Sequence, residues 1–344
     1  MCFGYLIEAA WMSGGKLAVG RFISIFTCCK LCEQAADLKC SACDVARYCS
    51  KEHQTRDWKA HKPLCKWLRE ELSKRPLTQT TSEAKLLRKQ QMAAVYWERL
   101  AGEGDAEAQF NLGTCYRTGA GVGGVNKKRA FHYFLKAAAQ GLVSAQYNIG
   151  ACFEHGEGVD KDDKKAFEYY QISAASGNAQ AQLYLAILYG LGKGVAKDEK
   201  KAFEYYQLSA AQGNVIAQFN IAVCYANGTG VGKDEKKAFE NYQLSATQGH
   251  VDAQFIVGHR YSAGLGVSKD EKKAFEYWQL SAAQGKAIAQ FNVAVSYANG
   301  TGVFKDEKKA VEYYQLSAAQ GHVDAQLILD HSYSVTKTIR VICT

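Results

Sequence analysis

"NVIAQFNIAVCYANGTGVGKDEKKAFENYQLSATQG", Asn214 to Gly249, decides the fold, because near-copies of it stand on both sides. The dipeptide Ala-Gln ends at Gln109, Gln146, Gln182, Gln218, Gln254, Gln290 and Gln326, at spacings of 37, 36, 36, 36, 36 and 36. Such a period marks a repeat architecture, in which each copy is one supersecondary unit. Within the quoted stretch Ala217, Ile221, Cys224 and Tyr225 fall at i, i+4, i+7 and i+8, the apolar stripe of a helix. Gly228 and Gly230 then break it, since glycine takes the left-handed conformations that end helices. A second helix opens at Asp234-Glu235, where carboxylates accept orphan backbone N–H groups and favour the positive helix end. Ala238, Tyr242, Ser245 and Ala246 share one face of it, and Gly249 stops it. Each copy is thus a helical hairpin that cannot bury its apolar face alone, and stacking of copies is expected. No proline follows Pro76, as continuous helices require.

The unit resembles the Sel-one-like repeat, a relative of the tetratricopeptide repeat lengthened in its connecting loop. Ala217-Gln218-Phe219-Asn220, the Gly228-Thr229-Gly230-Val231 turn and the run from Lys237-Ala238 to Gly249 carry the resemblance. It implies a mostly α fold, an α-helical solenoid over residues 105–334 with six full copies and one half copy. Ahead of it, "TTSEAKLLRKQQMAAVYWERLAGEG" reads as a capping helix over residues 81–104, with a capping box from Thr80 to Glu83. Its Tyr96-Trp97 and Gly104 align with Tyr205-Tyr206 and Gly213, so it is a second-helix half repeat. Residues 335–344 form a tail that departs from the pattern.

On each first helix, the face one residue before the stripe varies between copies. It carries Glu107, Asn111 and Thr114, then Ser144, Asn148 and Ala151, then Gln180, Tyr184 and Ile187. Ile216, Asn220 and Val223, Asp252, Ile256 and His259, and Ile288, Asn292 and Val295 follow. Stacking does not dictate these residues. The resemblance to tetratricopeptide stacks implies a concave groove here, with Asn111, Asn148, Tyr184, Asn220 and Asn292 facing a bound protein. No lysine or arginine stands among these face residues to clamp an acidic terminus, so a neutral or mixed ligand is expected.

The N-terminal part has another chemistry. Of the twelve cysteines, eight lie in the first 65 residues, and "CKLCEQAADLKCSACDVARYCSKEHQTRDWKAHKPLC", residues 29–65, adds two histidines. Cys29-x2-Cys32, Cys40-x2-Cys43, Cys49-x3-His53 and His61-x3-Cys65 are four two-ligand clips, enough donors for two tetrahedral zinc sites. Thiolate and imidazole suit Zn(II) better than oxygen-seeking cations. Cys28 competes with Cys29, but Cys29 alone stands three residues before Cys32. Four protein ligands per ion leave no position for an activated water, so the two ions are expected to be structural.

This segment resembles a MYND zinc finger in its paired cysteines, Tyr48-Cys49, Gln54, Asp57-Trp58, His61-Lys62 and Cys65. The resemblance implies crosswise binding, with Cys29, Cys32, Cys49 and His53 on one zinc and Cys40, Cys43, His61 and Cys65 on the other. His53 departs from the cysteine usual in the family; imidazole is an accepted ligand, so a Cys3His site is expected. The resemblance also gives Gln54 and Trp58 a part in docking short proline-containing peptides. Residues 1–28 are unassigned and 66–80 read as a linker.

Other readings weigh less. A RING-type ubiquitin ligase also binds two zincs crosswise, but the ending from Gln54 to Cys65 favours the MYND pattern. MYND fingers occur in lysine methyltransferases, yet the chain after Cys65 runs through a linker into helical repeats without room for a catalytic domain. No GxSxG elbow, P-loop or dinucleotide fingerprint is present, so an enzyme is not expected. Asn227-Gly228-Thr229 and Asn299-Gly300-Thr301 match a glycosylation sequon but read as the repeat turn. Cys115, Cys152 and Cys224 lie on the stripe and read as small core residues; His259 and His331 lack the company of a metal site. Residues 1–92 hold 16 Lys/Arg against 9 Asp/Glu, within a chain of formal net charge +8. That surplus supports an alternative, a nucleic-acid-associated regulatory protein using the basic N-terminal part, but does not argue for it. Without a twenty-residue apolar run or a basic start to the apolar N-terminus, neither a membrane span nor a secretory signal is expected. The expected protein is a cytoplasmic or nuclear adaptor with zinc-dependent and solenoid-borne protein partners.

Overall fold

The computed structural model describes residues 38–39, 47–48 and 82–331. Helix α1 (Ser82–Gly102) leads into pairs of thirteen-residue helices. The first members of the pairs are α2 (Ala106–Thr118), α4 (Val143–His155), α6 (Ala179–Leu191), α8 (Val215–Asn227), α10 (Val251–Ala263) and α12 (Ala287–Asn299). The second members are α3 (Lys127–Ala139), α5 (Asp163–Ala175), α7 (Glu199–Ala211), α9 (Glu235–Thr247), α11 (Glu271–Ala283) and α13 (Glu307–Ala318), which is one residue shorter. A further first-type helix, α14, runs over 323–331. The α1 helix begins at Ser82; Thr80 of the expected capping box lies outside the described residues.

Local chemistry sets the boundaries. The first helices end on left-handed glycines, Gly228 at φ 74° in the stretch read first. The second helices open on Asn126, Asp162, Asp198, Asp234, Asp270 or Asp306, whose side-chain oxygen accepts a backbone N–H three residues on. The same capping residue donates its own N–H back into the preceding helix, as Asp234 does to the Tyr225 carbonyl at 2.9 Å. The loop is therefore closed on itself by backbone bonds.

The chain divides into two compact units, Met1–Ile172 and Ser173–Thr344, the division falling inside α5. In the first, Leu112, Phe134, Ile149 and Tyr170 are fully buried. Each such side chain contributes roughly 1.5–3 kcal/mol relative to exposure. Size is matched across helices: an added Cβ on Gly113 would stand 2.8 Å from the Phe134 ring, and one on Gly150 2.8 Å from Tyr170. In the second unit Tyr242, Trp278 and Tyr314 join Ala222, Val257, Ala294 and their neighbours in one core. There Ser209, Ser245, Ser281 and Ser317 donate across the hairpin to the carbonyls of Ala179, Val215, Val251 and Ala287 at 2.7–3.0 Å. The end of each second helix is thereby fixed to the start of its own first helix.

Candidate interaction surfaces

In the finger the structure describes one feature, a two-residue antiparallel ladder of β1 (Leu38–Lys39) and β2 (Arg47–Tyr48), with Leu38 opposite Tyr48 and Lys39 opposite Arg47. Cys40 follows β1 directly, and Cys49 follows β2. The sequence-expected ligands Cys29, Cys32, Cys40, Cys43, Cys49, His53, His61 and Cys65, and the expected peptide contacts Gln54 and Trp58, lie outside the described residues.

The varying face of the first helices is described in full. Asn111, Tyr184, Asn220 and Asn292 are half-buried. Asn220 donates through Nδ2 to the Ile216 carbonyl one turn back, at 3.0 Å. Asn148 differs: it is 2% exposed, donates to the Ser144 carbonyl at 2.8 Å, and accepts on Oδ1 from Arg117. Its amide is spent inside the protein, so it is not an open groove contact. Thr114, 2% exposed, likewise turns its hydroxyl to the Phe110 carbonyl at 3.2 Å.

Two arginines escaped the sequence reading. Arg117 reaches from the end of α2 to Asn148 on α4, with its guanidinium 5.5 Å from the Phe134 ring centroid. Arg260 occupies the stripe position held elsewhere by Cys115, Cys152, Leu188, Cys224 and Ser296. It is buried, donates to Glu235 Oε2 at 2.8 Å and to the Leu265 carbonyl at 3.4 Å, and lies 4.9 Å over the Tyr242 ring. The hydrogen bonds from Arg260 and from Lys233 hold the Glu235 carboxyl below the usual carboxylate range. The available signal was the repeat alignment itself, where a cation breaks an otherwise uncharged column.

The stripe cysteines are buried and free. Burial pushes the Cys115 and Cys152 thiols up to about 12 and the Cys224 thiol up to about 11, which suits packing and opposes thiolate chemistry. His259 is an exposed residue of α10. Among the described residues no helix is long and apolar enough to cross a membrane.

Stacked helical hairpins with self-closed loops, following a cysteine-rich segment, define a helical-repeat protein joined to a small finger. The chain belongs to the Sel1 repeat family, matched at residues 106–142, 143–178, 179–214, 215–250, 251–286 and 287–322, and its residues 29–65 match the MYND finger. Among solved structures it is similar to a protective antigen of uropathogenic Escherichia coli, 32% identical with a TM-score of 0.67, over 69% of this chain and 51% of that one. A Sel1 repeat protein from Oxalobacter formigenes is 28% identical with a TM-score of 0.60, over 68% of this chain and 94% of that one. The finger is similar to programmed cell death protein 2 of Mus musculus, 53% identical over 38 residues, and to Egl nine homolog 1 of Homo sapiens, 50% identical over 38 residues. These matches span 11% of this chain and 11% and 9% of those relatives, so the likeness is to one module of each. Finger and repeats are interaction modules, typically non-catalytic, and together they indicate a protein-interaction adaptor.

Proposed function

We propose that residues 29–65 hold two structural zinc ions crosswise and dock proline-containing peptides, while the first-helix face of the repeats holds a second protein. The carrying observation is the β1–β2 ladder. By chain connectivity Cys40 leaves one end of it and Cys49 the other, which suits their assignment to different zinc ions. The donor set fits: six thiolates and two imidazoles in four clips supply both tetrahedra, and zinc gives a segment poor in large apolar residues something to fold around. A thiolate-rich centre suits a reducing compartment, cytoplasm or nucleus.

Gln54 and Trp58, four apart, share a face if the segment between the two histidines is helical. An indole offers a rigid apolar platform, an amide pairs with extended backbone, and a proline-rich ligand is already extended. In the repeats the contact residues are Asn111, Tyr184, Asn220 and Asn292, which remain half-open, without Asn148. The test uses the full chain. Gln54→Ala should weaken binding of a proline-containing peptide with zinc content unchanged, and replacing Asn111, Asn220 and Asn292 by alanine should release a repeat-bound partner. Unchanged peptide affinity in a zinc-loaded Gln54→Ala protein overturns the finger role, and retention of every captured partner by the triple variant overturns the groove.

A further inference from the structure

Helix α3 carries Lys128, His132 and Lys136 at four-residue spacing, all exposed, with exposed Arg129 beside them. Residues four apart on a helix are neighbours at ~5–6 Å between Cβ atoms, so the three form one row about 12 Å long. Among the described residues no carboxylate pairs with Lys128, Arg129 or Lys136. Aromatic rings steady two of them instead. Arg129 donates to Tyr116 Oη at 3.2 Å and lies 5.4 Å over the Tyr116 ring, while the Lys136 ammonium lies 5.8 Å over Tyr133. Tyr116 and Tyr133 stack at 5.7 Å with 4° between planes. The cations are held in place while their charge still faces water.

The other second helices do not look like this. Where α3 has His132 they have Glu168, Glu204, Glu240, Glu276 and Glu312, and where it has Lys136 they have Ile172, Leu208, Leu244, Leu280 and Leu316. Their outer face therefore reads lysine, glutamate, aliphatic, and that of α3 is basic throughout. Over residues 106–142 five Lys/Arg face Glu107 alone, whereas 143–178 hold six Asp/Glu against three lysines. The row is bounded by acids. Lys127 pairs with Glu157 at 3.0 Å, Tyr116 Oη donates to Glu98 at 3.4 Å, and the turn at Gly158 packs on the Lys127 carbonyl at the start of α3.

We propose that this face of α3 is a docking surface for a short acidic segment of a partner polypeptide, distinct from the first-helix face. Carboxylates on such a segment would meet Lys128, Arg129, His132 and Lys136 in one row. A segment of a few residues stays within it. A nucleic-acid duplex is the poorer match: it carries a charge every ~1.7 Å of its length, more than this short row can meet, and the following repeat holds six Asp/Glu against three lysines. Complementary charge at a rim of this kind acts chiefly on specificity and association rate, and its effect is screened by salt.

The test uses the full chain with fluorescent probes: a glutamate-rich peptide, the same peptide with glutamine for glutamate, and a DNA duplex. The variant His132→Glu/Lys136→Leu installs residues that the neighbouring repeats already carry, so folding should be kept, as circular dichroism will check. The glutamate peptide should bind the native chain at low salt, weaken as salt rises, and bind the variant about tenfold or more less tightly. The glutamine peptide should not bind. Equal affinity of the variant and the native chain for the glutamate peptide overturns the proposal. So does duplex binding as tight as that of the glutamate peptide and lost in the same variant, which would make the face a nucleic-acid site.

Discussion

Gln284, at the end of α11, donates through Nε2 to Oε1 of Gln254, near the start of α10, at 2.8 Å. Gln254 in turn donates to the Ala246 carbonyl at 3.2 Å, and Gln284 also reaches the Gly249 carbonyl at 3.2 Å. The relation recurs as Gln140 to Gln109, Gln212 to Gln182, Gln248 to Gln218 and Gln320 to Gln290. The Ala-Gln dipeptide that set the period is therefore a buried polar tie between consecutive helices. Gln254→Ala removes both of its hydrogen bonds, with Gln284 and with Ala246, while the Ala246 carbonyl keeps its bond from the Gly249 N–H at 3.0 Å, and should cost about 1–3 kcal/mol for the pair of bonds. Gln284→Ala, at the exposed end, should cost about 0.5–1.5 kcal/mol. Urea unfolding of both singles and the double should show a double-mutant loss smaller than the sum, since both remove the same bond.

The two glycines of each turn differ in what they avoid. Gly264 and Gly266 both have positive φ, 72° and 74°. A Cβ on Gly264 would meet its nearest neighbours at 3.7 Å, but one on Gly266 would run into the Glu235 carbonyl at the start of α9. Gly264→Ala should cost only the left-handed penalty of about 1–2 kcal/mol. Gly266→Ala should cost clearly more, because α9 must move, and a thermal melt of the two variants side by side checks the order.

His250 caps α10 by accepting the Ala253 N–H on Nδ1 at 3.2 Å and stacks on Phe219 at 4.7 Å. Burial holds its imidazole below the ordinary value; nearby Asp252 opposes this, and Lys286, itself paired with Asp252 at 2.6 Å, adds to it. The folded state thus takes up this proton later than the unfolded state. The cap's contribution is fully present above pH ~6.5, the ordinary histidine value, and is lost as pH falls from there through the lowered folded value. Asn178 and Asn214 hold the equivalent cap in other repeats, so His250→Asn should keep the helix and flatten stability against pH in that window. Denaturant midpoints across that range provide the measurement.

Zinc removal should separate the two modules. A chelator should release two zinc ions per chain and make six further thiols reactive, those of Cys29, Cys32, Cys40, Cys43, Cys49 and Cys65, with the helical signal nearly unchanged. Cys115, Cys152 and Cys224 should stay silent, because burial raises all three thiols. Release of fewer than two ions from a folded finger defeats the two-site reading.

The sequence by itself determined the period, the hairpin, the turn glycines and the capping aspartates, because each depends on residues within a few positions of one another. The stripe residues Ala217, Ile221 and Cys224 are buried as their spacing requires. The proposed donor set of the finger likewise rests on residue type and interval alone. Tertiary structure decided what depends on residues a whole repeat apart. Asn148 lies on the varying face, and only packing shows that Arg117, thirty-one positions earlier, occupies it. Arg260 reads as a misfit in an apolar stripe until Glu235 and Tyr242 are brought around it, where a buried cation needs a partner. Lys136 is one lysine among many in the sequence. It becomes part of an exposed basic row only when the helix places it beside His132 and Lys128, while nearby Glu157 pairs with Lys127.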